Sequence, residues 1–492
     1  MFLFYIWNQP NIYKMKTSAK ITLKNIVFII IVITGLAACV NAEKKQADSY
    51  NTEADNNSCI EVPSWFPHSQ TPAPKEGTNS LFALDTTNNI IFHQWSWQKF
   101  LWLTKPKSST DNTPLFLNNE SKVIQVTSHM LPIEKQEGAE VVLTDTIQAG
   151  FPKGVLRTNP SYLSATNKKS YTVHYSIHVS TIMMDAAKKF SDSINKKIAG
   201  FDAAKATFPV GSLELKVSWV NADAIPSDKL TNYYTTIGAI QNKDSTYTNT
   251  KVAMLGMHVV GVVQNHPEFI WATFENNDLA PNYNWPNDNA SSTTEKLLFR
   301  KGKTSGVAGI TYANDKADSL SRAFDLFHYG VPRNANGLYS NTSQEEPINF
   351  NNIKNINACV KKHLDKSDVW SNYFYNGSIW IDTDKLTRKK QAELIVSLGG
   401  SIANATTGSS ARGSLNSANV TMETFTQTFE STISEIAVGN LVNCFTCHNS
   451  SSSPLNLSHI FEGYVARKQG VSASQVEKDK AKREVLEYMK NK

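Results

Sequence analysis

Cysteine is scarce: five in 492 residues, which excludes a disulfide-rich mini-scaffold, since such folds gather several bridges into fewer than about 100 residues. An excess of one charge sign is also lacking. The formal net charge is +6, and removing Lys14, Lys16, Lys20 and Lys24 of the N-terminal segment leaves +2. Lysine and arginine form no stripe interleaved with aromatics, so nucleic acid is not an expected partner. No G-x-G-x-x-G follows a strand-like stretch and no P-loop occurs, which removes the nucleotide cofactors those loops cradle. Long apolar runs are missing too. The run Ile26 to Ile33 spans a bilayer poorly.

What is present begins with that short run. A basic stretch from Met15 to Lys24, the apolar residues Ile26 to Ile33 and the small residues Gly35, Ala37 and Ala38 are the three parts of a secretory signal, with Met15 as an alternative start. Leu36-Ala37-Ala38-Cys39 resembles a bacterial lipobox, which implies cleavage before Cys39 and a lipid anchor on its thiol. Val40 in place of aspartate resembles the sorting signal of the Gram-negative outer membrane. The competing reading is one membrane-spanning anchor. Localisation is therefore expected to be exported and lipid-anchored to a bacterial membrane, on its periplasmic face or at the cell surface.

Cys444-Phe445-Thr446-Cys447-His448 is the C-x-x-C-H spacing that attaches haem c. Two thiols on one helical turn form thioethers to the vinyl groups, and the adjacent imidazole of His448 becomes the proximal iron ligand. Chance produces this pattern on the order of once per thousand sequences of such composition. Covalent haem attachment also takes place outside the bacterial cytoplasm, in agreement with the leader. The pattern occurs once, so a di-haem peroxidase is disfavoured. Candidates for the distal position are His459, Met489 and Met422, with an upstream residue or no strong ligand as alternatives. Ten residues separate His448 from His459 and reach up to about 33 Å when extended, enough to round a haem edge.

Setting aside Cys39, Cys444 and Cys447 leaves Cys59 and Cys359, expected to pair in an oxidising compartment. Two buried free thiols are the alternative.

The fold expected is α+β: a large β-rich domain with interleaved helices, then a small all-α cytochrome c-like haem module. The divisions are a signal at 1–38, a polar tether at 39–80, the β-rich domain at 81–400 (one body or two subdomains), a linker at 401–420 and the haem module at 421–492. Alternation marks strands at Tyr171 to Ser180 and Leu213 to Trp219, and β-branched residues mark another at Lys251 to Val263. Helical spacing appears at Thr181 to Ala199, Asp315 to His328, Asn351 to Leu364, Leu386 to Leu398 and Thr421 to Ile436, with a charged terminal helix from about Gln475.

Trp95 to Leu101 and Phe269 to Glu275 are dense in aromatics. They read as strand core, or as a pocket in which Glu275 works as acid or base with His258 or His266. His174 and His178 share strand parity, as a metal pair would, but no third ligand stands at defined spacing. Together W-S-W-Q-K-F, W-A-T-F-E and C-F-T-C-H resemble an uncharacterised group of exported bacterial monohaem cytochrome c family proteins. That resemblance implies haem binding and names no substrate. Its members tend to carry histidine where this chain has Asn276, which weakens a chemical role for Glu275.

Three functional readings follow: a membrane-anchored monohaem electron carrier serving a redox partner protein, a haem-dependent oxidoreductase whose large domain binds a substrate, and a surface-binding lipoprotein whose haem is structural.

Overall fold

The computed structural model describes residues 62–84, 88–147, 155–163, 169–280, 294–299, 301, 311–312, 346–383, 385–398, 411–413, 419–422, 444–448 and 452–472. The leader, Cys39, Cys59, Met489, the helix expected from Asp315 to His328, residues 423–436 and the terminal helix lie outside them.

The strands are β1 (Val123–Val126), β2 (Val141–Leu143), β3 (Leu156–Arg157), β4 (Val173–Ser180), β5 (Leu213–Asn221), β6 (Thr235–Gln241), β7 (Tyr247–Val263), β8 (His266–Asn276), β9 (Thr311–Tyr312), β10 (Tyr373–Ile381) and β11 (Ala411–Gly413). Nine of them build one sheet in the order β1-β4-β5-β7-β8-β10-β11, every neighbour antiparallel; β6 pairs with the first half of β7, and β2 runs parallel to β6. The short β3 and β9 pair separately. The helices are α1 (Asn89–Thr104), α2 (Thr181–Asn195), α3 (Glu346–His363), α4 (Arg388–Leu398), α5 (Cys444–Cys447) and α6 (His459–Lys468). The architecture is thus α+β.

Period-2 side chains give the sheet two faces. Leu215, Val217, Met257, Val259, Ile270 and Phe274 form one, covered by α1 and α3. The other face holds two apolar clusters. One gathers Val173, Tyr175, Val220 and Leu255 with Leu297 and Met422. The second joins Ile177, Val179, Val260, Trp271, Ile379 and Ile381 to residues of α2, α4, α5 and α6. With both faces covered, β8 and β10 are buried along their whole length and show no polar alternation.

Trp95 to Leu101 lies within α1 and not on a strand. Every residue from Ile91 to Trp97 is buried, so the helix has no wet stripe for periodicity to reveal. Its buried polar side chains are engaged. Lys99 Nζ lies 2.7 Å from Glu76, whose carboxylate also accepts from Trp95 Nε1 at 2.8 Å. His93 bonds the Tyr375 hydroxyl at 2.8 Å and Asn349 at 3.0 Å. The helix stops where Pro106 pushes Lys105 to extended backbone (φ −60°, ψ 147°).

Three stretches near the expected divisions pack into the body. The stretch read as tether over 39–80 joins the body from Val62 onward: Trp65 enters the core, Phe66 packs against it, and His68 bonds Asp368 at 2.7 Å. Two aromatic anchors outweigh the polar composition around them. Within the stretch read as linker, 411–413 adds strand β11, and Asn419 and Val420 are buried. The segment 444–472 packs its apolar residues into the sheet's own cluster. Cys359 on α3 is disulfide-bonded.

Burial also sets the acid behaviour. Desolvation lowers His93 and His174 from 6.5 to about 4 and His178 to about 3. Folded protein therefore binds fewer protons than unfolded chain below pH 6.5. Stability is full above that value and falls as pH drops toward the folded pKa values, by about 1.4 kcal/mol per pH unit for each histidine. Urea midpoints measured at about pH 7 and about pH 5 are expected to fall together with pH; equal midpoints would contradict buried neutral histidines.

Candidate haem site

The backbone N–H of His448 donates to the Cys444 carbonyl at 2.8 Å. This continues the turn of α5 and sets Cys444 and His448 one above the other on one face. Both are half-buried.

His448 Nδ1–H donates to the Leu457 carbonyl at 2.8 Å. That carbonyl ends the 3-10 turn Pro454–Leu457, where terminal carbonyls lack a helical partner. The turn is pinned at both ends. Ser453 Oγ accepts from Leu455 N at 3.2 Å and donates to the Ala203 carbonyl at 2.7 Å. Ser458, the N-cap of α6, donates to Glu214 at 2.8 Å. With Nδ1 committed as a donor, Nε2 is the nitrogen whose lone pair is available to a metal.

Two rings lie close to His448. Trp271 of β8 is 4.2 Å away between centroids and tilted by 40°, its own orientation held by Nε1 donating to the Glu268 carbonyl at 3.1 Å. His459 is stacked at 4.2 Å with an interplanar angle of 19°. His459 as placed thus lies face to face with the His448 ring. Met422 packs into the other apolar cluster, away from the motif's own.

The chemistry of this donor set fits haem c. A CxxC turn, an imidazole with its outer nitrogen bonded to a carbonyl, and an apolar wall of Trp271, Phe445 and Leu457 are what covalent attachment and proximal ligation require. Sequence reasoning missed the Leu457 carbonyl, which carries no side-chain signature. It also left Trp271 unassigned, although W-A-T-F-E and C-F-T-C-H had been noted together.

The upstream candidates resolve otherwise. Glu275 accepts from Val420 N at 2.7 Å, while Asn419 donates to Thr273 and to the Phe274 carbonyl at 3.0 Å each. Glu275 thus clamps 419–422 onto the sheet. His266 stands nine residues along β8 from it, about 30 Å in an extended strand; His258 on β7 pairs with Thr273, one diagonal step from Glu275 on the same face. His266 pairs instead with Glu268 at 2.9 Å, both side chains buried. His178 bonds Ser176 Oγ at 3.0 Å, and His174 faces Trp219 across β5. Among the described residues no group of three or more His, Cys, Asp or Glu side chains is placed to hold a metal ion.

No family model, curated protein or solved structure matches the chain. Geometry and sequence therefore carry the functional argument.

Proposed function

We propose that this chain is an exported, membrane-anchored monohaem protein that carries electrons outside the cytoplasm, with haem c on Cys444 and Cys447 and His448 as proximal ligand. The observation that carries this reading is the hydrogen bond from His448 Nδ1 to the Leu457 carbonyl. It selects the tautomer that presents Nε2 and holds the ring's orientation. Haem bound there supplies a one-electron couple.

The chain's own residues do the rest. Trp271 and Phe445 give the site an apolar wall, and the sheet takes over much of the cover that a free-standing all-α module over 421–492 would have to provide itself. Cys39 anchors the protein to the membrane, and a Cys59–Cys359 disulfide ties the tether to α3. Among the described residues no helix is long and apolar enough to cross a membrane.

His459 and Met489 remain the distal candidates, and substitution distinguishes them. His459→Ala is expected to leave the haem spin state unchanged, because its ring lies face-on to His448. A switch to a high-spin spectrum would make His459 the distal ligand; loss of the far-red charge-transfer band in Met489→Ala would assign the methionine. For the reduced protein, slow carbon monoxide binding supports a closed carrier. Rapid binding would favour the oxidoreductase reading.

A further inference from the structure

We propose that an opening on the sheet beside Trp271 binds a small, neutral, hydroxyl-bearing aromatic reductant whose proton passes to His258; the destination of its electron rests on the haem reading above. Cross-strand register arranges one sheet face as a grid. Ser218, Gly256 and Glu275 stand in one row, Lys216, His258 and Thr273 in the next, and Glu214, Val260 and Trp271 in the third. Partners in an antiparallel ladder share a side, as do residues two apart along a strand.

Two covers lie on this face. Over the first row, Val420 N donates to Glu275 at 2.7 Å and the Thr421 hydroxyl bonds that of Ser218 at 2.6 Å, while Asn419 donates to Thr273 at 3.0 Å. Over the third row, Ser458 donates to Glu214 at 2.8 Å, and Phe445, Leu457 and Phe461 pack into one cluster with Val260 and Trp271. Water enters between these covers. From Leu213 to Val220 every residue is buried except Glu214 and Lys216, and from Val252 to Val263 every residue except His258. These three are adjacent on the grid. Their apolar neighbours Ile177, Val260 and Trp271 keep 8%, 5% and 7% exposure, where Leu215, Val217 and Val259 keep none. The opening therefore borders Trp271, whose ring lies 4.2 Å from that of His448.

The lining selects the ligand. Lys216 Nζ lies 4.8 Å from the centre of the Tyr175 ring, with Glu214 and Glu275 in the rows on either side. The two carboxylates offset the ammonium, so an anion gains little. Among the described residues no three His, Cys, Asp or Glu side chains gather to hold a metal cation. Ile177, Val260 and the indole suit a flat apolar ring. Lys216 and His258 are direct cross-strand partners, with Cβ atoms about 5 Å apart, so both reach one hydroxyl: the ammonium donates to its oxygen, and an unprotonated imidazole accepts its O–H. One-electron oxidation then breaks that O–H bond. The proton passes to His258 and the electron to ferric haem, leaving a neutral phenoxyl radical and ferrous haem.

Hydroquinone added to the holoprotein tests this. The ferrous protein takes no further electron from it, so calorimetry reads binding alone. Saturable binding is expected, weakened about tenfold in Lys216→Met by loss of a charged donor. With the ferric protein, haem reduction should saturate in hydroquinone. His258→Gln still accepts a hydrogen bond but takes no proton, so it should slow that reduction about a hundredfold while leaving the ferrous-state affinity within about threefold. Hexaammineruthenium(II), which gives an electron and no proton, should reduce wild type and both variants at one rate. Hydroquinone that fails to bind, a rate linear in its concentration and equal in His258→Gln, or equal slowing of both reductants in that variant would overturn the proposal and leave the haem reading intact. Benzoate binding more tightly than hydroquinone would overturn it in favour of an anion site. Protein that lacks covalent haem yet binds hydroquinone with the same dependence on Lys216 would overturn the haem reading alone.

Discussion

Alanine at Trp97 is expected to cost about 4 kcal/mol of stability, in the range of large-to-small substitutions at buried tryptophans. Trp97 is fully buried, edge-on to Phe100 at 5.7 Å and to Phe274 at 5.1 Å, and its Nε1–H donates to Asn357 at 3.1 Å. Asn357 also holds β10 through its bonds to the Tyr375 N–H and carbonyl, at 2.9 and 2.8 Å, so the indole links α1, α3 and the sheet. Phenylalanine refills part of the volume and should lose about half as much. Urea titration of both variants at neutral pH measures this. A change below about 1 kcal/mol in Trp97→Ala would argue that the aromatic cluster serves a ligand and not the core.

Serine at both Cys444 and Cys447 should abolish covalent haem while the sheet domain still folds, since the half-buried Cys444 is peripheral to the cluster it borders. On a denaturing gel the double variant is expected to lose all haem-associated peroxidase staining, and any residual haem should leave on acid–organic extraction. Cys444→Ser alone should retain haem through one thioether. Stain surviving in the double variant would place the attachment elsewhere.

What was legible in the sequence follows from where water reaches. β4 and β5 alternate in sequence, and the helices seen at Thr181–Asn195, Glu346–His363 and Arg388–Leu398 match expected periodic stretches. α1, buried continuously from Ile91 to Trp97, and β10, buried along its whole length, offered little contrast between wet and dry positions. Trp65 and Phe66 were hidden by the polar residues around them. At the site, the proposed attachment positions were readable because thioether chemistry would demand side chains at fixed spacing. The Leu457 carbonyl was not, because any residue presents one. Trp271 depends on antiparallel pairing of β8 with β7 and β10, a long-range arrangement that no local pattern encodes.

The central claim is that His448 and its two neighbouring cysteines hold one haem. It is tested most directly by the mass of the proteolytic peptide spanning residues 444–448, taken from protein made in a host that matures c-type cytochromes. That peptide is expected to carry the mass of one haem added through two thioethers, with a pyridine haemochrome spectrum of the doubly linked type. Free thiols or a Cys444–Cys447 disulfide in protein from the same host would contradict the account.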